Sequence, residues 1–415
     1  MAITTSNSSE AVSSTRSTRR RFFPELEGMR GLAAMGVLFT HVAFSSGMVG
    51  FMDQEPNGFL GVMLQQLHVS LPIFFVLSGM LLYRPFALAT IAGTPKPEIK
   101  PYFWRRALRT LPAYWVLVAV ALLTLNRDGV HSLWQIIRPV LLLQVYQLEA
   151  RLVGQGLEQT WTLATEVAFY AVLPLLAWAL NRFARSASDP GVRVRRILWG
   201  LSPLVVIGFV YAWYTFLPSM GVYPIQNEWP PKWLGFIAVG MGLAALSAGA
   251  EVAPDRVPAF YRFVQNNPLW CWGLAAGVYV VACVRPIGEP GYADYPSMAG
   301  GMTEHFLYTL FGLLLVAPVT VPTPSRFVVA VMSNPVMRFL GRISYGLYLW
   351  HIAIIYFWRG DLMPRGSFLE LIAVTLGGSI VLATASYYLV EAPAMRLRER
   401  LGKASAGPSV ETIVR

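Results

Sequence analysis

From residue 28 to residue 391 the chain is a succession of apolar runs, each close to twenty residues, separated by short polar stretches. Wound as an α-helix at ~1.5 Å per residue, such a run matches the ~30 Å hydrocarbon core of a bilayer. The pattern predicts spans near 28–47, 68–90, 107–125, 160–181, 196–217, 232–250, 269–285, 302–322, 341–359 and 368–391. The stretch 132–148 is shorter, contains Arg138-Pro139 and is interrupted by Gln135, Gln144 and Gln147, so it reads as re-entrant or interfacial. The expected fold class is all-α, a polytopic membrane helix bundle of about ten transmembrane helices. Residues 22–395 form one transmembrane domain, flanked by a disordered cytosolic tail over 1–21 and a C-terminal cytosolic tail over 396–415.

Composition supports this reading. The 415 residues are 55% hydrophobic and 13% charged, and the mean hydropathy is +0.50, outside the balance of soluble domains. The loops are too short to hold a soluble catalytic domain. A formal charge of +11 could point to nucleic acid, but the basic residues cluster at helix ends rather than on one soluble face. Arg16, Arg19 to Arg21, Lys96, Lys100, Arg105, Arg106, Arg182, Arg185, Arg193, Arg195, Arg196, Arg326, Arg338, Arg396, Arg398, Arg400 and Lys403 all fall on one side of a ten-span arrangement. The opposite loops carry Asp53, Glu55, Asp128, Glu149, Glu158, Glu228, Glu289 and Asp294. By the positive-inside rule both termini lie in the cytosol of a cell (inner or plasma) membrane. No cleavable secretory signal follows the Ser/Thr-rich start. Cys271 and Cys283, about 18 Å apart along one helix, cannot pair and read as inert thiols.

The chemistry lies in a few ionisable groups inside these spans. His41 follows Arg30 by eleven residues, which returns to nearly the same helix face about 16 Å further on. One stripe thus carries a guanidinium at the membrane surface and an imidazole near the midplane, where an ionisable group reads as functional by default. In the second span Pro72 breaks the ladder and Ser78-Gly79 lets another backbone approach closely. Arg106 and Arg109 are neighbours at i,i+3 ahead of the third span and, with Arg30 at the same level, could hold phosphates in their forks. The fourth span opens Trp161-Thr162-Leu163-Ala164-Thr165-Glu166 and continues to Tyr170, which reads either as the wall of a polar substrate pocket near the outer face or as helix-packing polarity. His351 is a second midplane histidine, about 14 Å beyond Arg342. His68 reads as interfacial, His305 beside Glu304 as a surface position or part of the same polar interior, and Glu391 as a packing or capping partner for arginines. No metal site is read.

Taken together, the stretches Glu25-Leu26-Glu27-Gly28-Met29-Arg30-Gly31 with His41, Phe74-Phe75-Val76-Leu77-Ser78-Gly79, Arg106/Arg109, Trp161-Thr162-Leu163 with Glu166 and Phe169-Tyr170, and Ile343-Ser344-Tyr345-Gly346-Leu347-Tyr348-Leu349-Trp350-His351 resemble the acyltransferase-3 family of integral membrane O-acyltransferases. Glu27 stands where that family often has Asp, which keeps the carboxylate. The resemblance implies transfer of an acyl group, usually acetyl, from cytosolic acyl-CoA to a hydroxyl of a cell-envelope glycolipid or saccharide, or of a macrolide-like product. It implies no tightly bound cofactor, with acetyl-CoA as donor substrate. Arg30, Arg106 and Arg109 would bind the CoA phosphates, and His41 would be the general base, unless an acyl-His forms. Glu166 would orient the acceptor or modulate His41 from the outer side, while Trp161, Tyr170, His351 and Ser78 would line the acceptor site. Some members carry a C-terminal esterase-like domain; only a short tail follows Glu391 here, so the expectation is that the membrane domain or a separate protein completes the transfer. The rival reading is a transporter or flippase for a lipid-linked or polar solute, which also favours midplane ionisable groups and a broken helix, although no internal repeat relates the two halves.

Overall fold

Many helix starts are written in the sequence as a proline in the first turn or a polar cap. Asp189, Asn334 and Ser367 each accept a hydrogen bond from a backbone N–H two or three residues into the helix that follows, which satisfies an otherwise orphaned donor. Gly93 and Gly360, both in the left-handed region, close two of the long helices. The computed structural model describes residues 23–50, 55–146, 154–221, 223–285, 287 and 296–397. The tail over 1–21 and all but the first two residues of the 396–415 tail lie outside the described residues.

The helices are α1 (Pro24–Ser45), α2 (Gly58–Gln65), α3 (Ser70–Ala92), α4 (Ile99–Leu123), α5 (Leu133–Val140), α6 (Trp161–Ala184) and α7 (Pro190–Thr215), then α8 (Pro230–Val252), α9 (Ala259–Asn266), α10 (Pro268–Val284), α11 (Met298–Val316), α12 (Arg326–Met332), α13 (Pro335–Arg359) and α14 (Phe368–Ser386). No strand occurs among the described residues. Each of the ten expected spans coincides with a long helix. Among the described residues seven stretches are long and apolar enough to cross a membrane, and the pair α9 and α10, bent by 98°, makes an eighth if counted as one span. The other two, α1 and α13, are long enough but less apolar, because they carry Arg30, His41, Arg342 and His351. Among the described residues of the stretch 132–148 the one helix is the eight-residue α5, held against α4 where Tyr114 and Trp115 donate to the Pro139 and Val140 carbonyls. Pro72 lies in the first turn of α3, where its missing N–H costs nothing; the break comes just before it, at the 3-10 turn Gln66–Val69.

The most extensive packing joins α3 to α8, α7 to α8, α1 to α13 and α13 to α14. The stretch containing α8 has 83% of its most apolar window buried, against 22% for those containing α7 and α14, so α8 is central and the other two are peripheral. On the rim Leu389 is 76% exposed and Trp199 75%, side chains that only a lipid solvent would leave uncovered in such numbers. These features make the chain a multi-pass membrane protein.

Small residues set the closest approaches, as expected where lipid tails compete equally for apolar side chains. A Cβ on Gly79 would run into the Ile237 carbonyl of α8, and one on Gly341 into the Glu27 carbonyl of α1. Gly341→Ala should therefore lower the midpoint of thermal unfolding in detergent, at an overpacking cost of about 1–3 kcal/mol. Gly273→Ala, whose Cβ meets open space, should leave that midpoint unchanged.

Candidate functional site

The approach of α1 to α13 determines which side chains meet. Gly31 packs on the Gly341 backbone, and in each helix a histidine follows its glycine by ten positions. Two parallel helices in register at the glycines bring those histidines together about 15 Å further on. His351 Nε2 lies 3.1 Å from His41 Nδ1, with the ring centroids 4.9 Å apart.

The surrounding carbonyls orient the protons. His351 Nδ1 is 3.2 Å from the Leu347 carbonyl and His41 Nδ1 is 2.9 Å from the Val37 carbonyl. A carbonyl only accepts, so both Nδ1 atoms carry hydrogen when the rings are neutral. His351 Nε2 then presents a lone pair to His41 Nδ1–H, and the lone pair of His41 is left on Nε2. His351 is fully buried and His41 half-buried.

His41 lines a cavity of about 440 Å³. One wall is aromatic: Trp161 and Trp233 lie 5.1 Å apart by ring centroid, and Phe75 stacks behind Trp233 at 4.9 Å. The other walls are polar. Glu158 accepts from the Tyr356 hydroxyl at 2.5 Å, Lys232 donates to Asn227 at 2.6 Å, and Arg285 pairs with Glu304 at 3.5 Å. His68 and His305 also line it; His305 is 5% exposed and edge-on to Phe209 and Phe236, so it belongs to the polar interior and not to the surface.

A second cavity, about 80 Å³, lies beside the first. Arg30, Arg106 and Arg109 line it together with Ser78, Glu166 and Tyr170. Arg109 donates to Met395 sulfur at 3.7 Å, and Arg106 Nε is buried without a hydrogen-bond partner. None of the three arginines forms an ion pair among the described residues. Three half-buried guanidiniums converging on one cavity, with Glu166 as the one carboxylate in its lining, leave an excess of positive charge that suits a polyanionic ligand. Ser78 donates to Glu166 at 2.5 Å. Glu166, Ser78 and Tyr170 thus stand with the arginines, apart from Trp161 and His41. The helix explains it: Glu166 is five positions beyond Trp161, well round the axis, but shares a face with Thr162 at i,i+4. Glu391 is buried in the π-turn Tyr387–Glu391, accepting from Ser386 at 3.5 Å. Among the described residues no three His, Cys, Asp or Glu side chains gather to hold a metal, and both cysteines are unpaired.

The structure thus brings the two histidines singled out in the sequence together and the three arginines together elsewhere, and adds Glu158, Lys232 and the Arg285–Glu304 pair to the lining of the larger cavity, residues to which the sequence pattern gave no site role. The equal glycine-to-histidine spacing on α1 and α13 was the available signal for the histidine pair.

Comparison with known proteins is consistent along nearly the whole chain. The model of an acyltransferase family, the acyltransferase domain of type 3, matches residues 23–391. A putative O-acetyltransferase of Staphylococcus aureus strain COL is 25% identical over 402 residues, covering 91% of this chain and 58% of that protein. A peptidoglycan O-acetyltransferase, OatA, of Listeria monocytogenes is 24% identical over 400 residues, covering 91% of this chain and 57% of its own. The chain therefore spans somewhat under three-fifths of the length of these curated relatives. No solved structure matches. With a family model covering both cavities and the helices that build them, the chain belongs to the acyltransferase-3 family of membrane proteins.

Proposed function

We propose that this protein is an O-acyltransferase that moves an acetyl group from acyl-CoA, bound from the cytosolic side, to a hydroxyl of a cell-envelope saccharide or glycolipid. The observation that carries this reading is the meeting of two unlike cavities, one bearing three guanidiniums and the other lined by His41, with the buried His351 hydrogen-bonded behind it. Family membership favours it over the transporter reading. On this proposal both termini lie in the cytosol, as the basic helix ends suggest.

The CoA phosphates would lie against Arg30, Arg106 and Arg109, and the thin pantetheine arm would run along α6 toward His41. The acceptor would enter the larger cavity, whose aromatic wall and polar groups suit the faces and hydroxyls of a sugar. The name of the Listeria relative, a peptidoglycan O-acetyltransferase, is in keeping with such an acceptor. His41 Nε2 would take the proton of the acceptor hydroxyl as its oxygen attacks the thioester carbon. The C–O bond forms, the C–S bond breaks, and the proton passes from His41 to the departing CoA thiolate. His351 would hold the imidazole of His41 in the tautomer that leaves Nε2 free to accept.

Glu166 would act on the donor side, as an internal counter-charge to the arginines. Glu166→Gln should then lower the Michaelis constant for acetyl-CoA by about threefold, in keeping with one partly screened charge, and leave that of the acceptor unchanged. The test of the whole reading is acceptor-dependent CoA release by purified protein in nanodiscs with a crude envelope-lipid extract. Absence of release, together with absence of thermal stabilisation by acetyl-CoA, would overturn it.

A further inference from the structure

The two cavities share a boundary, and Thr162 and Tyr348 line both. Their side-chain oxygens are hydrogen-bonded to each other, and the Tyr348 hydroxyl also donates to the Gln159 carbonyl. The Gln159 side chain in turn donates to the Leu349 carbonyl at 2.6 Å. Phe74 supports the ring from the side, edge-on at 5.7 Å between centroids. Tyr348 and Thr162 are 8% and 9% exposed, so most of each side chain is packed against protein at this junction. The ring is thus tied by its tip to the start of α6 while its backbone belongs to α13, one turn before His351. Thr162 and Tyr348 are the two residues common to the linings of both cavities, so the shortest way from the arginines to His41 lies beside this ring.

We propose that Tyr348, latched by its hydroxyl to Thr162 and the Gln159 carbonyl, is the partition between the donor and acceptor chambers and the residue that limits the length of the acyl group transferred. This rests on the reading that the arginine cavity holds acyl-CoA. Two consequences follow from the geometry. Closed, the partition keeps water of the wider cavity from the thioester, so that release of CoA is coupled to the presence of acceptor. Open, it has to clear only the acyl group and the end of the pantetheine arm, and a two-carbon acyl needs less displacement of the ring than a six-carbon one. One methylene too many in a fitted apolar pocket already discriminates by about 10–200-fold.

The experiment measures CoA release from acetyl-, butyryl- and hexanoyl-CoA, with and without envelope-lipid extract, by wild type, Tyr348→Ala, Tyr348→Phe and Thr162→Ala in nanodiscs. Tyr348→Ala should raise the ratio of hexanoyl to acetyl transfer by about tenfold or more and raise acceptor-independent release. Tyr348→Phe keeps the ring but loses the latch, so it should raise acceptor-independent release while holding the chain-length ratio near that of wild type. An unchanged ratio in Tyr348→Ala protein that is still stabilised by acetyl-CoA would overturn the proposal. Should that variant not fold, Thr162→Ala widens the same junction from the other side, and an unchanged ratio there has the same meaning. If wild type neither releases CoA nor is stabilised by any acyl-CoA, the donor reading itself falls and the partition with it, a result distinct from an active enzyme with an unmoved ratio.

Discussion

His41→Ala should abolish acyl transfer, lowering the rate by about 10²–10⁴-fold, while acetyl-CoA still raises the thermal midpoint of the variant. The separation is expected because His41 lines the larger cavity, whereas the guanidiniums line the smaller one. Loss of the base removes an interaction made to the moving proton and leaves phosphate binding in place. His41→Gln keeps much of the bulk and a hydrogen-bonding side chain but cannot cycle a proton, so it should be as inactive. His351→Gln should be milder, since the Val37 carbonyl still holds the His41 Nδ1–H at 2.9 Å. That variant should alter the pH profile of kcat, which loss of packing alone would not move. Single-turnover CoA release and thermal shift on the same preparations check both. Turnover retained in His41→Ala would remove the general-base role.

Much of this arrangement is legible along the chain because a bilayer enforces simple rules. A twenty-residue apolar run has to be a helix, and all ten spans are found as helices. An imidazole among Val37, Leu38, Val42 and Ala43 has to face protein, and His41 faces His351. What the pattern does not carry is rotation about each helix axis and the path of the chain between helices. Glu166 illustrates the first: its depth in α6 is fixed by counting, but its partner Ser78 and the arginine cavity are properties of how α6 is turned against α3. Pro72 illustrates the second, since a proline in a hydrophobic run looks like a kink when the run has already been interrupted by the preceding 3-10 turn. Lys232, Arg285 and Glu304 come from different segments and meet only when α8, α10 and α11 surround one cavity.

Replacing any one of Arg30, Arg106 and Arg109 by Ala should raise the Michaelis constant for acetyl-CoA by about 10–150-fold, the equivalent of one charge-assisted hydrogen bond at ~1.5–3 kcal/mol. The turnover number should change little, because phosphates far from the reacting carbon are held equally in the ground state and the transition state. Lysine should restore only part of the loss, since its point charge lacks the planar fork that grips two oxygens. The same three residues could instead be ordinary contacts for lipid headgroups at a helix end, and a truncated donor separates the two cases. S-acetyl-pantetheine carries the thioester and the arm without the nucleotide phosphates, so wild type should use it poorly and the arginine variants no worse than wild type. In the variants the preference for acetyl-CoA over the truncated donor should therefore collapse by the same factor that the Michaelis constant rises. A preference that stays at its wild-type value, with folding intact by thermal shift, would assign the arginines to the membrane surface and not to the donor. That result would also take away the reason the two cavities have opposite character, because the absence of ion pairs around the three guanidiniums would then be met by lipid phosphate.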